Sequence, residues 1–249
     1  KNPILSRLYL SGRHQVTSII GGNYQFVSVK ELVLMVNQWA SRESSDYDLI
    51  IGVPRSGLFV ANQLALLWAK PLTTPELLSE TVWASKDMPK ISKINRVLLV
   101  DDSVRTGSAM REAFEEVRRA LPNATIITAA VIVTSNTRST VDLFAHIIDG
   151  PRLFQWNMLH SKKESVAVDF DGFLCQEVTK IDTASDESYR SFIKTAAPRL
   201  IPAYEIDFII SNRLEIHREE SEVWLKKHGV RYKMLWMQNV AGEGYKDKY

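Results

Sequence analysis

The run Val97-Leu98-Leu99-Val100 is apolar throughout, only four residues long, and ends abruptly on two carboxylates, Asp101-Asp102. A short, wholly apolar run of this kind reads as a strand buried on both faces, the kind found in parallel sheets. The loop Ser103-Val104-Arg105-Thr106-Gly107 follows. From Ser108 to Ala120 the periodicity becomes helical, with Met110, Ala113, Phe114, Val117 and Leu121 on one stripe. Strand, short loop and amphipathic helix together make one unit of an α/β fold.

The same alternation runs along the chain. Ser28 and Glu31 have capping-box spacing, which predicts a helix from Ser28 to about Arg42. Leu49–Val53 predicts a buried strand, Pro54-Arg55-Ser56-Gly57 an interruption, and Leu58–Ala69 a buried helix. Residues 71–95 hold Pro71, Pro75 and Pro89 and read mostly as loop, with a short strand near Thr81–Ala84. Strands are expected at Ala124–Thr134 and Val141–Ile148, and Asp149-Gly150-Pro151 is a turn signal. The pattern then restarts. Val166–Val168, Ile206–Ile210 and Tyr232–Trp236 read as strands, Glu187–Ala196 and His217–His228 as helices, the last closed by Gly229. The expectation is two doubly wound α/β domains with mainly parallel sheets, over 1–155 and 156–249, divided near 150–164.

Composition narrows the functions. The net charge of +2 is too small to indicate a nucleic-acid partner. No apolar stretch reaches the length of a membrane span, and the opening fifteen residues lack the apolar core of a secretory signal. Cys175 is the only cysteine, so neither a disulfide framework nor a cysteine zinc site is available, which fits a reducing, cytoplasmic setting. The five histidines show no metal-ligand spacing.

In an open α/β sheet, ligands bind beyond the carboxyl ends of the strands. There, the backbone N–H groups of Arg105-Thr106-Gly107-Ser108 can wrap a phosphate, helped by the positive end of the following helix. Asp101 and Asp102 can accept hydrogen bonds from sugar hydroxyls. Val97–Met110 resembles the phosphoribosyl-pyrophosphate (PRPP) motif of the type I phosphoribosyltransferases, in residue class, over about thirteen consecutive positions. Asp48–Gly57 looks like that family's pyrophosphate loop. The resemblance implies PRPP binding by Arg55, Ser56, Gly57, Ser103, Val104, Arg105, Thr106, Gly107 and Ser108, with Mg²⁺ as cofactor. Pyrophosphate leaves the anomeric carbon and an acceptor attacks from the opposite face. Asp101 and Asp102 hold the ribose hydroxyls, directly or through metal-bound water, or one of them deprotonates the acceptor; the sequence leaves both open. A mobile loop is expected within 78–95, where no single lysine among Lys86, Lys90 and Lys93 is assigned, and where Trp83 offers a ring for stacking.

A second motif, Val166-Ala167-Val168-Asp169-Phe170-Asp171-Gly172-Phe173, resembles motif one of the haloacid dehalogenase (HAD) superfamily. That likeness implies Asp169 as nucleophile and Asp171 as acid and base, with both at a metal site. Phe173 departs from the usual Thr or Val. Ile209–Arg213 resembles motif two, with Ser211 on the phosphoryl oxygen. Lys246 is the positional candidate for the third motif, and the fourth, acidic motif is missing. Only 81 residues run from Asp169 to Tyr249, so a HAD-like Rossmannoid domain reads as incomplete at its C-terminus.

The pair of domains is similar to the phosphoribosyltransferase–phosphatase proteins of bacterial surface-polysaccharide assembly. The resulting expectation is transfer of 5-phosphoribosyl to a glycan, then loss of the 5-phosphate. A nucleobase-salvage or orotate-type phosphoribosyltransferase and a non-catalytic PRPP-binding regulator are the alternatives. A homodimer is compatible with each.

Overall fold

A computed structural model describes residues 25–78, 93–160 and 165–239. Lys246, Lys86, Lys90, Trp83 and the strand expected near Thr81–Ala84 lie outside the described residues. The chain divides into two compact units, Val27–Arg152 and one that begins at Leu153. Short strands β1 (Gln25–Val27) and β7 (Arg152–Phe154) stand where the chain passes between them, and neither was legible in the sequence.

The first unit is a five-stranded parallel sheet. Its strands are β2 (Leu49–Gly52), β3 (Leu72–Thr73), β4 (Arg96–Ser103), β5 (Thr125–Val133) and β6 (Leu143–Ile147), in the order β3-β2-β4-β5-β6. Helices cover both faces. Leu49, Ile51, Val97 and Leu99 pack with Met110, Ala113 and Val117 of α3 (Ser108–Ala120). Their alternates Ile50 and Leu98 are as deeply buried on the other face. There α2 (Ser56–Trp68) packs on β2 and β4, and α1 (Val29–Ala40) packs on α2. Burial on both faces explains the unbroken apolar runs; each such side chain contributes ~1.5–3 kcal/mol.

The capping box at α1 forms as expected: the Glu31 amide donates to Ser28 Oγ at 3.1 Å, and the Ser28 amide to Glu31 Oε2 at 2.8 Å. Two of the boundaries that differ from the sequence reading lie at the strand ends. Helix α2 begins at Ser56 rather than Leu58. Strand β4 runs on to Ser103, because Asp101 and Ser103 still pair with Ala130 and Ile132 of β5.

The second unit holds α4 (Gln155–His160), β8 (Ala167–Asp169), α5 (Asp186–Thr195), β9 (Ile206–Leu214), α6 (Arg218–Lys227) and β10 (Tyr232–Gln238). Its three strands are parallel in the order β10-β9-β8. Val168, Ile209 and Leu235 share a core with Phe192 of α5 and with Trp224 and Leu225 of α6. The Trp224 indole donates to the Ala196 carbonyl at 2.8 Å, so this large ring is buried without an orphaned N–H. Gly229, at φ +67°, ends the α6 segment in the left-handed conformation that favours glycine. Strand β9 extends four residues past the expected Ile210.

Candidate functional site

In the first unit, the carboxyl ends of β2 and β4 bring the two expected loops together. After Gly52 the chain passes through Val53, whose amide donates to the Val100 carbonyl at 2.9 Å, then through the cis Pro54–Arg55 peptide bond into α2. The early start of α2 puts Ser56 and Gly57 in its first turn. Gly57 lies flat against the end of β4: a Cβ there would come within 2.7 Å of Asp101 Oδ1 and 2.9 Å of Asp101 Cα. Only glycine permits that approach. Beside it the Ser56 hydroxyl donates to Asp102 Oδ1 at 2.6 Å. The pyrophosphate-loop residues and the carboxylate doublet therefore form one cluster, although 46 positions separate Ser56 from Asp102 in the chain. Arg55 is exposed at the start of α2.

The doublet is nearly enclosed, with Asp101 8% and Asp102 5% exposed. The Asp102 amide donates to Asp101 Oδ1 at 2.8 Å. Burial, and then the charge of Asp102 beside it, push the Asp101 carboxyl up to about 8. At neutral pH Asp101 therefore carries a proton and can donate a hydrogen bond to an oxygen.

This shift has a stability consequence. In the folded chain Asp101 keeps its proton to about pH 8, whereas an unfolded carboxyl loses it near pH 4. The folded state therefore binds the extra proton between those limits, and its stability falls as pH rises through that window. Asp101→Asn removes the titration. The variant is expected to gain stability over the wild type as pH goes from 5 to 9 in thermal melts, and a pH-independent difference would contradict it.

The loop after β4 turns at Gly107, at φ +80°, into α3. Arg105, Thr106 and Ser108 are exposed, and the Gly107 N-cap offers no side chain, while the Ser108 amide donates to Thr106 Oγ1 at a long 3.5 Å. The Thr106 and Ser108 hydroxyls lie 3.0 Å apart. Backbone donors, hydroxyls and the positive helix end converge here, an arrangement suited to a phosphate monoester.

Residues 25–152 match the family described as the phosphoribosyl transferase domain. The chain belongs to that family. This phosphoribosyltransferase also resembles solved structures. Helicobacter pylori xanthine-guanine-hypoxanthine phosphoribosyltransferase is 15% identical, over 55% of this chain and 93% of that one, with a TM-score of 0.40. A purine phosphoribosyltransferase from Pyrococcus horikoshii Ot3 is 23% identical, over 53% and 92%, with a TM-score of 0.42. The orotate phosphoribosyltransferase of Aeropyrum pernix is 24% identical, over 46% and 66%, with a TM-score of 0.34. No curated protein sequence matches. Among the described residues no helix of the phosphoribosyltransferase is long and apolar enough to cross a membrane.

The second constellation lies beyond the matched residues. Asp169 ends β8, in register with Ile210 of β9, and the Phe170 amide donates to the Ile210 carbonyl at 3.1 Å. Ser211 is the residue of β9 that follows Ile210, and its hydroxyl accepts from the Arg213 amide at 3.1 Å. Burial, then the neighbouring Asp171 charge, push Asp169 up to about 7. Sequence reasoning did not assign a role to Arg213. Because β9 continues past Ile210, Ile209, Ser211 and Arg213 alternate onto one buried face, and Arg213 is 1% exposed. Its Nη2 donates to Asp171 Oδ1 at 2.6 Å and its Nε to Oδ2 at 3.0 Å, while Nη1 donates to Ser221 Oγ at 3.1 Å. The guanidinium carbon stands 3.8 Å from the Phe170 ring centroid. The signal available in the sequence was the period-two pattern carried on through Ser211 to Arg213.

The pairing bears on the metal expectation. Both Asp171 oxygens face the Arg213 guanidinium, and the Cys175 thiol also donates to Oδ1 at 3.2 Å. Among the described residues no group of three or more His, Cys, Asp or Glu is placed to hold a metal ion. A Mg²⁺ ion at Asp169 and Asp171 would have to displace the Arg213 guanidinium from both Asp171 oxygens.

Proposed function

We propose that this phosphoribosyltransferase moves the 5-phosphoribosyl group of PRPP to a hydroxyl of a glycan, releasing pyrophosphate and leaving a β-ribofuranoside, and that the second unit then removes the 5-phosphate. In the first step the bond from C1 to the pyrophosphate oxygen breaks through a cation-like sugar. The acceptor oxygen bonds to C1 from the opposite face and gives up its proton. Arg55 and the amides of Ser56 and Gly57 stabilise the charge gathering on pyrophosphate. Asp101, protonated at neutral pH, donates to a ribose hydroxyl. Asp102, steadied by Ser56, is the carboxylate left to accept a hydroxyl hydrogen bond or the acceptor's proton. The Thr106–Ser108 turn holds the 5-phosphate.

The doublet also suits Mg²⁺. It offers hard oxygen donors on adjacent residues, and this ion is ordinarily held by one or two carboxylates together with substrate phosphates. Asp102 would hold it, joined by Asp101 only where the ion displaces the Asp101 proton, and it would neutralise charge on the pyrophosphate.

The observation that supports the glycan reading is the Asp169–Asp171 turn that closes β8, where Asp169 pairs with Ile210 of β9, one residue before Ser211. A phosphatase step suits a product that must lose its 5-phosphate, and it would destroy a nucleotide product. A nucleobase acceptor, with a second unit that hydrolyses nothing, is the other reading. It is favoured by the Arg213–Asp171 pair, because Asp171 must leave the guanidinium before it can act as an acid.

Incubation with PRPP, Mg²⁺ and a panel of sugars and bases, reading pyrophosphate and inorganic phosphate separately, tests this. With a glycan acceptor both are expected to appear, and Asp169→Asn stops phosphate release while pyrophosphate release continues. Pyrophosphate release only with a free base, and no phosphate, supports the second reading. No release with any acceptor indicates a PRPP-binding regulator.

A further inference from the structure

The carbonyl of Val104, where β4 hands over to the phosphate turn, receives two side-chain donors. Thr137 Oγ1 donates at 3.2 Å and Arg152 Nη2 at 3.1 Å, while the Val104 amide donates to the Ile132 carbonyl at 2.9 Å. Thr137 is itself fixed by reciprocal hydrogen bonds with Thr134. Asp149, three residues before Arg152, is held by the Ser135 amide at 2.8 Å and the Ser135 hydroxyl at 2.7 Å. The root of the turn is thus braced from the segment after β5 and from the segment after β6.

Arg152 is not satisfied by this role. Its Nη1 is buried and has no hydrogen-bond partner. Buried polar groups are nearly always paired, and an unpaired one costs about 1–3 kcal/mol, more when charged. The neighbouring charges do not supply the missing acceptor. Asp102 and Asp149 lie near enough to favour the cation, Arg105 opposes it, and burial weighs most against it. A planar guanidinium with one nitrogen on the loop and the other unpaired is suited to a phosphoryl oxygen.

We propose that Arg152 is a phosphoryl-binding residue of this site, its Nη1 donating to an oxygen of PRPP while Nη2 keeps the phosphate turn in place. The inference rests on the placement of the PRPP site at the ends of β2 and β4. It assigns a ligand contact to a residue well outside both expected loops. The phosphoryl oxygen belongs either to the 5-phosphate or to the pyrophosphate.

The test is equilibrium binding of PRPP, ribose 5-phosphate and pyrophosphate, each with Mg²⁺, to the full chain and to Arg152→Gln. Glutamine has no charge and ends two bonds short of both Nη atoms, so it removes the Nη1 contact and the Nη2 brace together, and Thr137→Val serves as the control for bracing. Affinity for PRPP is expected to fall about 10- to 100-fold, the worth of a charge-assisted hydrogen bond. A parallel loss for ribose 5-phosphate locates the contact at the 5-phosphate, and a loss for pyrophosphate locates it at the leaving group. Thr137→Val, which removes only the other brace, is expected to change PRPP affinity less than threefold. Unchanged PRPP affinity in Arg152→Gln, or an equal loss in Thr137→Val, overturns the ligand contact and leaves the site standing. Failure of the wild type to bind any of the three overturns both. Should Arg152→Gln not fold, a wild-type crystal soaked with PRPP decides: a phosphoryl oxygen within hydrogen-bond distance of Nη1 supports the contact, and none within 4 Å removes it.

Discussion

Replacing Asp101 and Asp102 together by asparagine is expected to lower kcat/KM for pyrophosphate release at least ~10³-fold, the scale at which loss of preorganised electrostatic groups acts. Asparagine keeps an oxygen that can accept from the Ser56 hydroxyl and from the Asp102 amide, so the short contacts at the end of β4 are retained. What is lost is the negative charge of the doublet and the acidic O–H of Asp101. In the proposed mechanism both act on the sugar as positive charge develops at C1, so the loss is expected in kcat more than in KM. The measurement is steady-state pyrophosphate release over a range of PRPP concentrations, which gives kcat and KM separately. A double variant within tenfold of the wild type would remove the doublet from the reaction. A second check is calorimetric binding of PRPP, which tells loss of the donor site from loss of turnover.

The second large effect concerns stability. Arg213→Met is expected to destabilise the second unit by about 3–5 kcal/mol, because it leaves the Asp171 carboxylate part-buried opposite an apolar side chain. The Ser221 hydroxyl, which accepts from Nη1, is left in the same position. Asp171→Asn should cost less, since its amide oxygen can still accept from the guanidinium. The double variant should cost less than the sum, because each single change leaves its partner uncompensated. A chain of two units need not unfold in one transition. The measurement is therefore hydrogen exchange at the amides of β9 and α6, with β4 as an internal reference. Equal protection in wild type and Arg213→Met would show that the pair contributes nothing to holding the unit together. A drop confined to β9, α6 and their neighbours is the expected pattern.

The Arg213 effect bears on a question about the second unit. If Arg213 mainly neutralises Asp171, loosening it lowers stability and brings no phosphatase activity. If Asp171 works as an acid, it has to exchange its guanidinium for a phosphate ester during turnover. The inorganic phosphate readout proposed for Asp169→Asn separates these cases.

Much of the first unit was legible in the residues themselves. Strands buried on both faces admit little but apolar side chains, so β2, β4 and β5 announce themselves as unbroken runs. Helices α1 and α3 show their stripes because one side of each meets water. Strands β1, β3 and β7 are two or three residues long, too short to carry a period, and their backbone pairing is what makes them strands. Helix α2 starts two residues early for a related reason. Ser56 and Gly57 have poor helix propensity, and it is the Ser56–Asp102 hydrogen bond and the close seat of Gly57 on Asp101 that hold them in its first turn.

By itself the sequence determined the alternation of strand and helix, the parallel sheets and the chemistry available at each strand end, because burial periodicity and residue type are local properties. The tertiary structure alone decided which of those groups meet. It set Ser56 and Gly57 against the Asp101–Asp102 doublet, brought Arg152 to the carbonyl of Val104, and locked Asp171 onto Arg213. Those contacts join residues more than forty positions apart. No local pattern encodes them, and they exist only once the sheet order and register have been set.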